Sequence, residues 1–269
     1  MTITSRQNPL VGRFRDAARG GGGDTVLLLD GAHLVGEAVS AGVAVQIAAV
    51  TPAAVESGEL QPLVTALGEQ GVEVALVSAQ VMDAISPVRS PSAIVALADR
   101  PPNGQAQLYR RAAPLVVIAV DVQDPGNLGA IVRVAEAAGA TGVVAAGASA
   151  NPFGWKALRG SMGSALRLPL VAGVTAAAAI EDARGHGCRI VATSPRDGQP
   201  LVDARLSGPV ALLIGGEGRG LAAEVLAAAD ERVTIPMQAP VESLNAAVTA
   251  AVLLYEAGRQ RSAITRKRP

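Results

Sequence analysis

The chain has 269 residues, 49% hydrophobic and 17% charged, which is enough apolar content for the core of one large or two ordinary domains. Its 23 Lys and Arg balance 23 Asp and Glu, with a pI of about 6.8, which argues against a general polyanion-binding protein. Cys188 stands alone, excluding an intrachain disulfide, and with only His33 and His186 beside it no metal site is expected; no run spans a bilayer and the first residues hold no apolar leader, so a cytoplasmic location is expected.

Helix and strand signals alternate along the chain. Arg6 to Arg19 reads as a basic amphipathic helix, and a glycine break follows at 20–23. TVLLLD is strand-like, GAHLVGEAVSAG helical, VQIAAVT a strand, LQPLVTALGEQG helical, VEVALVS a strand, VMDAISPV helical and SAIVALAD a strand. Together they make an α/β unit over residues 1–98. Residues 99–113, rich in Pro, Gly and charge, read as a linker. From 114 to 269 come LVVIAVDV, GVVAAG, LPLVAG, RIVATS, VALLIGG and RVTIP with helical sequence between them, implying a mostly parallel sheet covered on both faces. A long helix is expected from about Ser243 to Arg261.

Charge is unevenly spread. Residues 1–100 hold 6 arginines against 10 acids, whereas 101–269 hold 17 basic residues against 13 acids, and only Lys156 and Lys267 are lysines. The planar guanidinium suits phosphate and base stacking, so the bias is compatible with RNA; genomic composition in an Ala-rich protein accounts for it equally well.

Three segments place polar groups where strands end: VDVQDPGNLGAIVRVAEAAGA at 120–140, LLIGGEGRGL at 212–221, and RVTIPMQAPVESLNAAVTAAVLLYEAGRQR at 232–261. Gly216, Gly218 and Gly220 have the wrong spacing for a dinucleotide fingerprint, and no phosphate loop ending in Gly-Lys-Ser/Thr occurs. Ordinary nucleotide folds are disfavoured. If the first segment opens a helix near Leu128, Asn127 caps it, and Arg133 lies a turn and a half in, on the face of Ala130 and Ala137.

These segments, in this order and spacing, resemble the SpoU/TrmH family of RNA ribose 2′-O-methyltransferases in the SPOUT superfamily. ITSRQNPLVGRFRDAAR, LLLDGAHLVGEAVSAG and VSAQVMDAISPVRSPSAIVALAD resemble the substrate-binding domain that many of them carry. Asp30 stands where that domain usually has Glu, and glycines replace its basic residues around 20–24. The resemblance implies a C-terminal α/β trefoil-knot domain with a mostly parallel sheet, plus a smaller N-terminal, ribosomal-protein-like α/β domain. It implies S-adenosylmethionine as cofactor and ribosomal RNA as the substrate expected first, transfer RNA being the alternative; a fold-sharing RNA-binding or ribosome-assembly protein without transfer is the rival of another class, and a cofactor-binding protein acting on a small molecule a further one.

By the same resemblance, Gly215, Gly216, Ile235, Met237, Ser243 and Leu244 hold the cofactor with Thr193 as a weaker addition, and Asn127, Arg133, Glu217, Ser243 and Asn245 form the catalytic set. Arg13, Arg133, Arg159 and Ser161 are the RNA contacts implied. The family's arginine is proposed to take the 2′-hydroxyl proton, but a guanidinium with a pKa above about 12 is a poor base, so Arg133 is read as anchoring the neighbouring phosphate and polarising the hydroxyl. Trp155 either stacks on a base or joins the core. Glu217 either fixes its loop or pairs with an arginine, and the tail RQRSAITRKRP either binds phosphate or is a solvated end. A homodimer with shared sites is implied by the resemblance, and the apolar stripe Leu244, Val248, Ala251, Val252, Leu254 and Tyr255 would serve an interface or an intrachain core.

Overall fold

The structure, a computed structural model, describes residues 2–20, 25–102 and 104–266, the side chains of 263–266 excepted. Most of the glycine break and the last part of the basic tail therefore lie outside the described residues. The chain forms two compact units, residues 1–102 with 153–167, and 103–152 with 168–269.

In the first unit the elements are α1 (Pro9–Ala18), β1 (Val26–Asp30), α2 (Ala32–Ser40), β2 (Val45–Val50), α3 (Pro52–Glu56), α4 (Gln61–Glu69), β3 (Glu73–Leu76), α5 (Ala79–Ile85) and β4 (Ile94–Asp99). The strands lie in the order β1-β4-β2-β3, antiparallel except for the β2–β3 pair. Helix α1 starts where Asn8 accepts a hydrogen bond from the Leu10 amide at 2.9 Å and Pro9 fills the first turn. Its Val11 and Phe14, three apart, are buried against Leu28, Met82 and Leu97. The Asp30 carboxylate is buried and accepts from the hydroxyls of Ser86 and Ser92, each at 2.7 Å, so the shorter acid still ties down the loop between α5 and β4.

The second unit contains α6 (Gln105–Leu108), β5 (Leu115–Val120), α7 (Pro125–Ala137) and β6 (Gly142–Ala146). After the excursion 153–167, which carries α8 (Trp155–Ser161), come β7 (Leu170–Val174), α9 (Ala176–Gly185), β8 (Arg189–Thr193) and β9 (Gln199–Pro200). β10 (Val210–Gly215), α10 (Ala223–Ala227), β11 (Glu231–Thr234) and α11 (Ala246–Arg266) complete it. Its sheet is parallel throughout, in the order β7-β6-β5-β10-β8-β11-β9. Central strands β5 and β6 are buried along their whole length, which is why they read as unbroken apolar runs rather than alternating ones. Among the described residues no helix is long and apolar enough to cross a membrane.

Four expectations are corrected. The segment 99–113 is not a bare linker: the Gly104 amide bonds to the Leu170 carbonyl at 3.1 Å, and Leu108 of α6 sinks into the second unit's core. A side chain at 104 would collide with the backbone of Pro169 and Leu170, so glycine is needed for that close approach. Asp124, not Asn127, caps α7, accepting from the Asn127 amide at 2.8 Å. Helix α11 begins at Ala246 rather than Ser243, because Asn245 accepts from the amides of Ala247 and Val248 and leaves Ser243 and Leu244 in the preceding loop. Finally, 153–167 belongs by its contacts to the first unit. There Trp155 packs, half buried, on the core of α1, α5 and the sheet, and Arg167 pairs with Glu37.

Candidate active site

Parallel strands end together, so their carboxyl edges gather the loops that follow them. At the ends of β8, β10 and β11 those loops enclose a cavity of about 370 Å³. Thr193, Gly215, Gly216, Ile235, Met237, Ser243 and Leu244, the seven residues expected to hold the cofactor, all line it. Apolar surface comes from Ile214, Leu221, Val233 and Leu226, and charge from Asp197, Glu217 and Arg219.

Close backbone approach explains the glycines. A Cβ on Gly215 would lie 2.4 Å from the Gly220 carbonyl carbon, and one on Gly216 only 2.0 Å from the Asp121 carbonyl oxygen. The loop then folds back on itself: the Gly220 amide donates to the Gly216 carbonyl at 3.2 Å, with Gly218 and Gly220 both at positive φ. Asp121, at the end of β5, also has positive φ, at 57°, and its carboxylate accepts from the Ala148 amide at 2.7 Å. Held this way, it seats the 216–220 loop against the end of the central strand.

Polar residues from the three segments meet in one chain of hydrogen bonds. Asn127 Nδ2 donates to Glu217 Oε1, and Asn245 Nδ2 donates to Asn127 Oδ1 at 3.0 Å. Asn245 Oδ1 in turn caps α11. Glu217 lines the cavity, so the network links the cavity wall to the starts of α7 and α11. Glu217 thus fixes its loop through an amide rather than through an arginine. Ser243 lines the cavity but is exposed, and Thr193 spends its hydroxyl on the Leu213 carbonyl at 3.1 Å, tying β8 to β10.

Arg133 is not brought to this cavity. It is exposed on α7, beyond the network, and enters no hydrogen bond or ion pair among the described residues. Arg13 is exposed and donates to Gln46 at 3.2 Å; its neighbours Arg6 and Arg15 donate to the carbonyls of Gln80 and Ala84. Arg159 is exposed in the excursion with the first unit. Ser161 is a correction: it is fully buried, donating to the Leu158 carbonyl at 2.8 Å and accepting from the Ala165 amide, so its hydroxyl is spent inside the excursion and offers RNA nothing. Arg261, counted in the basic tail, turns inward and donates to the carbonyls of Ala113, Pro114, Leu206 and Gly208.

Residues missed in the sequence are Asp121, Asp124, Asp197 and Arg219. Asp124 stands before a proline at a helix start, a capping signal that could have been read. Asp121 and Asp197 carry none, since their roles depend on which strands end beside them.

The family model of the SpoU rRNA methylase family matches residues 114–255, and that of an MRM3-like substrate-binding domain matches 23–96. The chain is 34% identical over 264 residues to an uncharacterized tRNA/rRNA methyltransferase of Synechocystis, covering 96% of this chain and 94% of that one. It is 31% identical over 230 residues to the 23S rRNA (guanosine(2553)-2′-O)-methyltransferase RlmP of Bacillus subtilis, covering 85% and 86%. The crystal structure of an AdoMet-bound rRNA methyltransferase from Sinorhizobium meliloti superposes with a TM-score of 0.83 at 27% identity, covering 96% and 97%. With its parallel sheet, its cavity at the strand ends and a separate N-terminal unit, the chain belongs to the SpoU rRNA methylase family.

Proposed function

We propose that this protein transfers a methyl group from S-adenosylmethionine to a ribose 2′-hydroxyl of RNA, with ribosomal RNA as substrate. The observation that carries this is the joining of the three segments: a cavity built by Gly215, Gly216 and the 235–244 loop is hydrogen-bonded through Glu217, Asn127 and Asn245 to the helix bearing Arg133. The relatives' names support the RNA and the ribose position.

The cavity fits the cofactor's chemistry. Apolar walls at Ile214, Ile235 and Leu244 suit an adenine, and the carboxylates of Asp197 and Glu217 suit cationic sulfonium and ammonium groups. When bound, the cofactor supplies an electrophilic methyl group, so no metal or covalent enzyme intermediate is required and orientation provides much of the acceleration. Gly215 and Gly216 let the 216–220 loop and the end of β5 pack backbone against backbone, which sets the position of the cavity wall. The Glu217–Asn127–Asn245 network keeps the wall rigid while Asn245 holds the start of α11.

Arg133 is exposed on the helical side of Gly126, Ala130 and Ala137 and is not among the residues that line its own chain's cavity. It therefore acts in a homodimer, reaching the cavity of the second copy to bind the acceptor's phosphate and polarise the hydroxyl. Val248, Val252 and Tyr255, spaced four and three apart, leave an exposed apolar face on α11 that suits such a pairing. A cytoplasmic site of action accords with a ribosomal RNA substrate.

The test is methylation of unmodified large-subunit ribosomal RNA by the purified protein, with the modified ribose mapped. Arg133→Ala is expected to lower kcat/KM by about a hundredfold, the scale of losing one electrostatic group at a reacting centre, with cofactor affinity unchanged. Near-normal methylation by that variant removes Arg133 from the mechanism, and RNA binding without transfer by the native protein replaces the enzyme reading with the RNA-binding one.

A further inference from the structure

Among the described residues lining the cavity, one side chain is cationic: Arg219. It sits between Gly218 and Gly220, both at positive φ, at the tip of the loop closed by the Gly216–Gly220 bridge. It is exposed, and it enters no hydrogen bond or ion pair among the described residues. A guanidinium held on a glycine hinge at a cavity mouth, with every donor unspent, is a group available to an anion.

Two anions could reach it, the carboxylate of a bound cofactor and a phosphate of an incoming RNA. The loop's own attachment favours the second. Two residues before Arg219, Glu217 is bonded to Asn127, which accepts from Asn245, so this loop forms the wall on the side of the three polar residues assigned to the transfer step. The acceptor must enter from solvent, which is where Arg219 is exposed. The 3′-phosphate is attached to the carbon next to the one bearing the 2′-hydroxyl, so an acceptor placed for transfer brings that phosphate to the mouth. An exposed guanidinium gains little from one screened carboxylate, whereas RNA carries a continuous line of phosphates whose neutralisation releases counterions.

We propose that Arg219 is a substrate-positioning residue that binds the RNA phosphodiester beside the acceptor ribose, within the same chain as the cavity. The proposal rests on the methyltransferase reading above and names a second cationic contact for it, distinct from Arg133.

The experiment compares the native protein with Arg219→Ala and Arg219→Lys on unmodified large-subunit ribosomal RNA transcribed in vitro. Cofactor affinity is read by calorimetry, RNA affinity by filter binding from low to high salt, and transfer by steady-state kinetics. For Arg219→Ala the expected result is unchanged cofactor affinity, an RNA KM raised about tenfold and a salt slope smaller by about 0.7 to 1. Arg219→Lys restores the slope while recovering the KM only in part, because ammonium lacks the bidentate fork. Weakened cofactor binding with the RNA KM unchanged assigns Arg219 to the carboxylate and overturns the proposal, as does a salt slope identical to the native one. If the native protein transfers nothing yet its salt slope depends on Arg219, the methyltransferase reading fails and the phosphate contact stands.

Discussion

Gly216 shows how little freedom a single position in this site has. The Cβ of an alanine there would press into the Asp121 carbonyl oxygen, and because the nearest atoms are all backbone of Asp121 and Val122, no side-chain rotation relieves it. Gly216→Ala should therefore destabilise the fold by about 1–3 kcal/mol, the cost typical of overpacking, and lower cofactor affinity more than tenfold because the loop must shift. Thermal unfolding and calorimetry on the same variant read both effects; unchanged cofactor binding would show that the loop is not seated on Asp121. At this scale the glycines were legible from the GGEGRGL pattern alone, but Asp121 was not. Its importance comes from lying at the end of a strand adjacent to β10, a relation of space rather than of sequence.

Helix α11 illustrates the scale of an element. Its start is set by the Asn245 cap, and its far half is fastened by a group of side chains with few alternatives. Glu256 accepts two hydrogen bonds from Arg259, at 2.8 and 2.7 Å, and one from Gln260, whose amide also joins Ala204 and Leu206. Arg261 donates to four main-chain carbonyls, and burial of its guanidinium lowers its pKa. The Arg259 hydrogen bonds hold the Glu256 carboxyl below its ordinary value of 4.5. A depressed folded pKa contributes stability that is present above 4.5 and is lost as pH falls through the lower folded value. Glu256→Gln should therefore lower Tm at pH 7 and shrink the Tm difference between pH 7 and acid, measured by circular dichroism. An unchanged acid slope would place the pH sensitivity elsewhere. Burial also pushes the Cys188 thiol up to about 11, so it should react slowly with alkylating reagents in the native state.

For the whole molecule, the question is what covers the exposed Val248, Val252 and Tyr255 and where Arg133 acts. Placing a charge in that stripe, as in Val252→Asp, is expected, on the proposed pairing, to leave only monomers in sedimentation where the native protein sediments as a dimer, and to abolish transfer while each chain keeps its cofactor cavity; a monomeric native protein overturns the pairing. Mixing Arg133→Ala subunits with Gly216→Ala subunits tests sharing directly. If the arginine of one copy completes the cavity of the other, the mixture regains part of the activity that each variant lacks. No recovery despite demonstrated mixing would confine Arg133 to its own chain.

Periodicity and turn chemistry, both local properties, were enough to outline two α/β units, and the resemblance of three segments to a known family implied six of the cavity residues, Thr193 lying outside those segments. Most of those residues sit at or just past strand ends, which the order of apolar run, turn and helix marks in the sequence. Tertiary structure alone decided how the polar groups are spent. Asn127 meets a carboxylate 90 positions away and an amide 118 away. Ser161 vanishes into the excursion packed with the first unit, Arg261 turns to the main chain, and Arg219 is left without a partner among the described residues. Buried donors and acceptors must find partners wherever the packed chain supplies them, and the sequence does not encode those meetings at any fixed spacing.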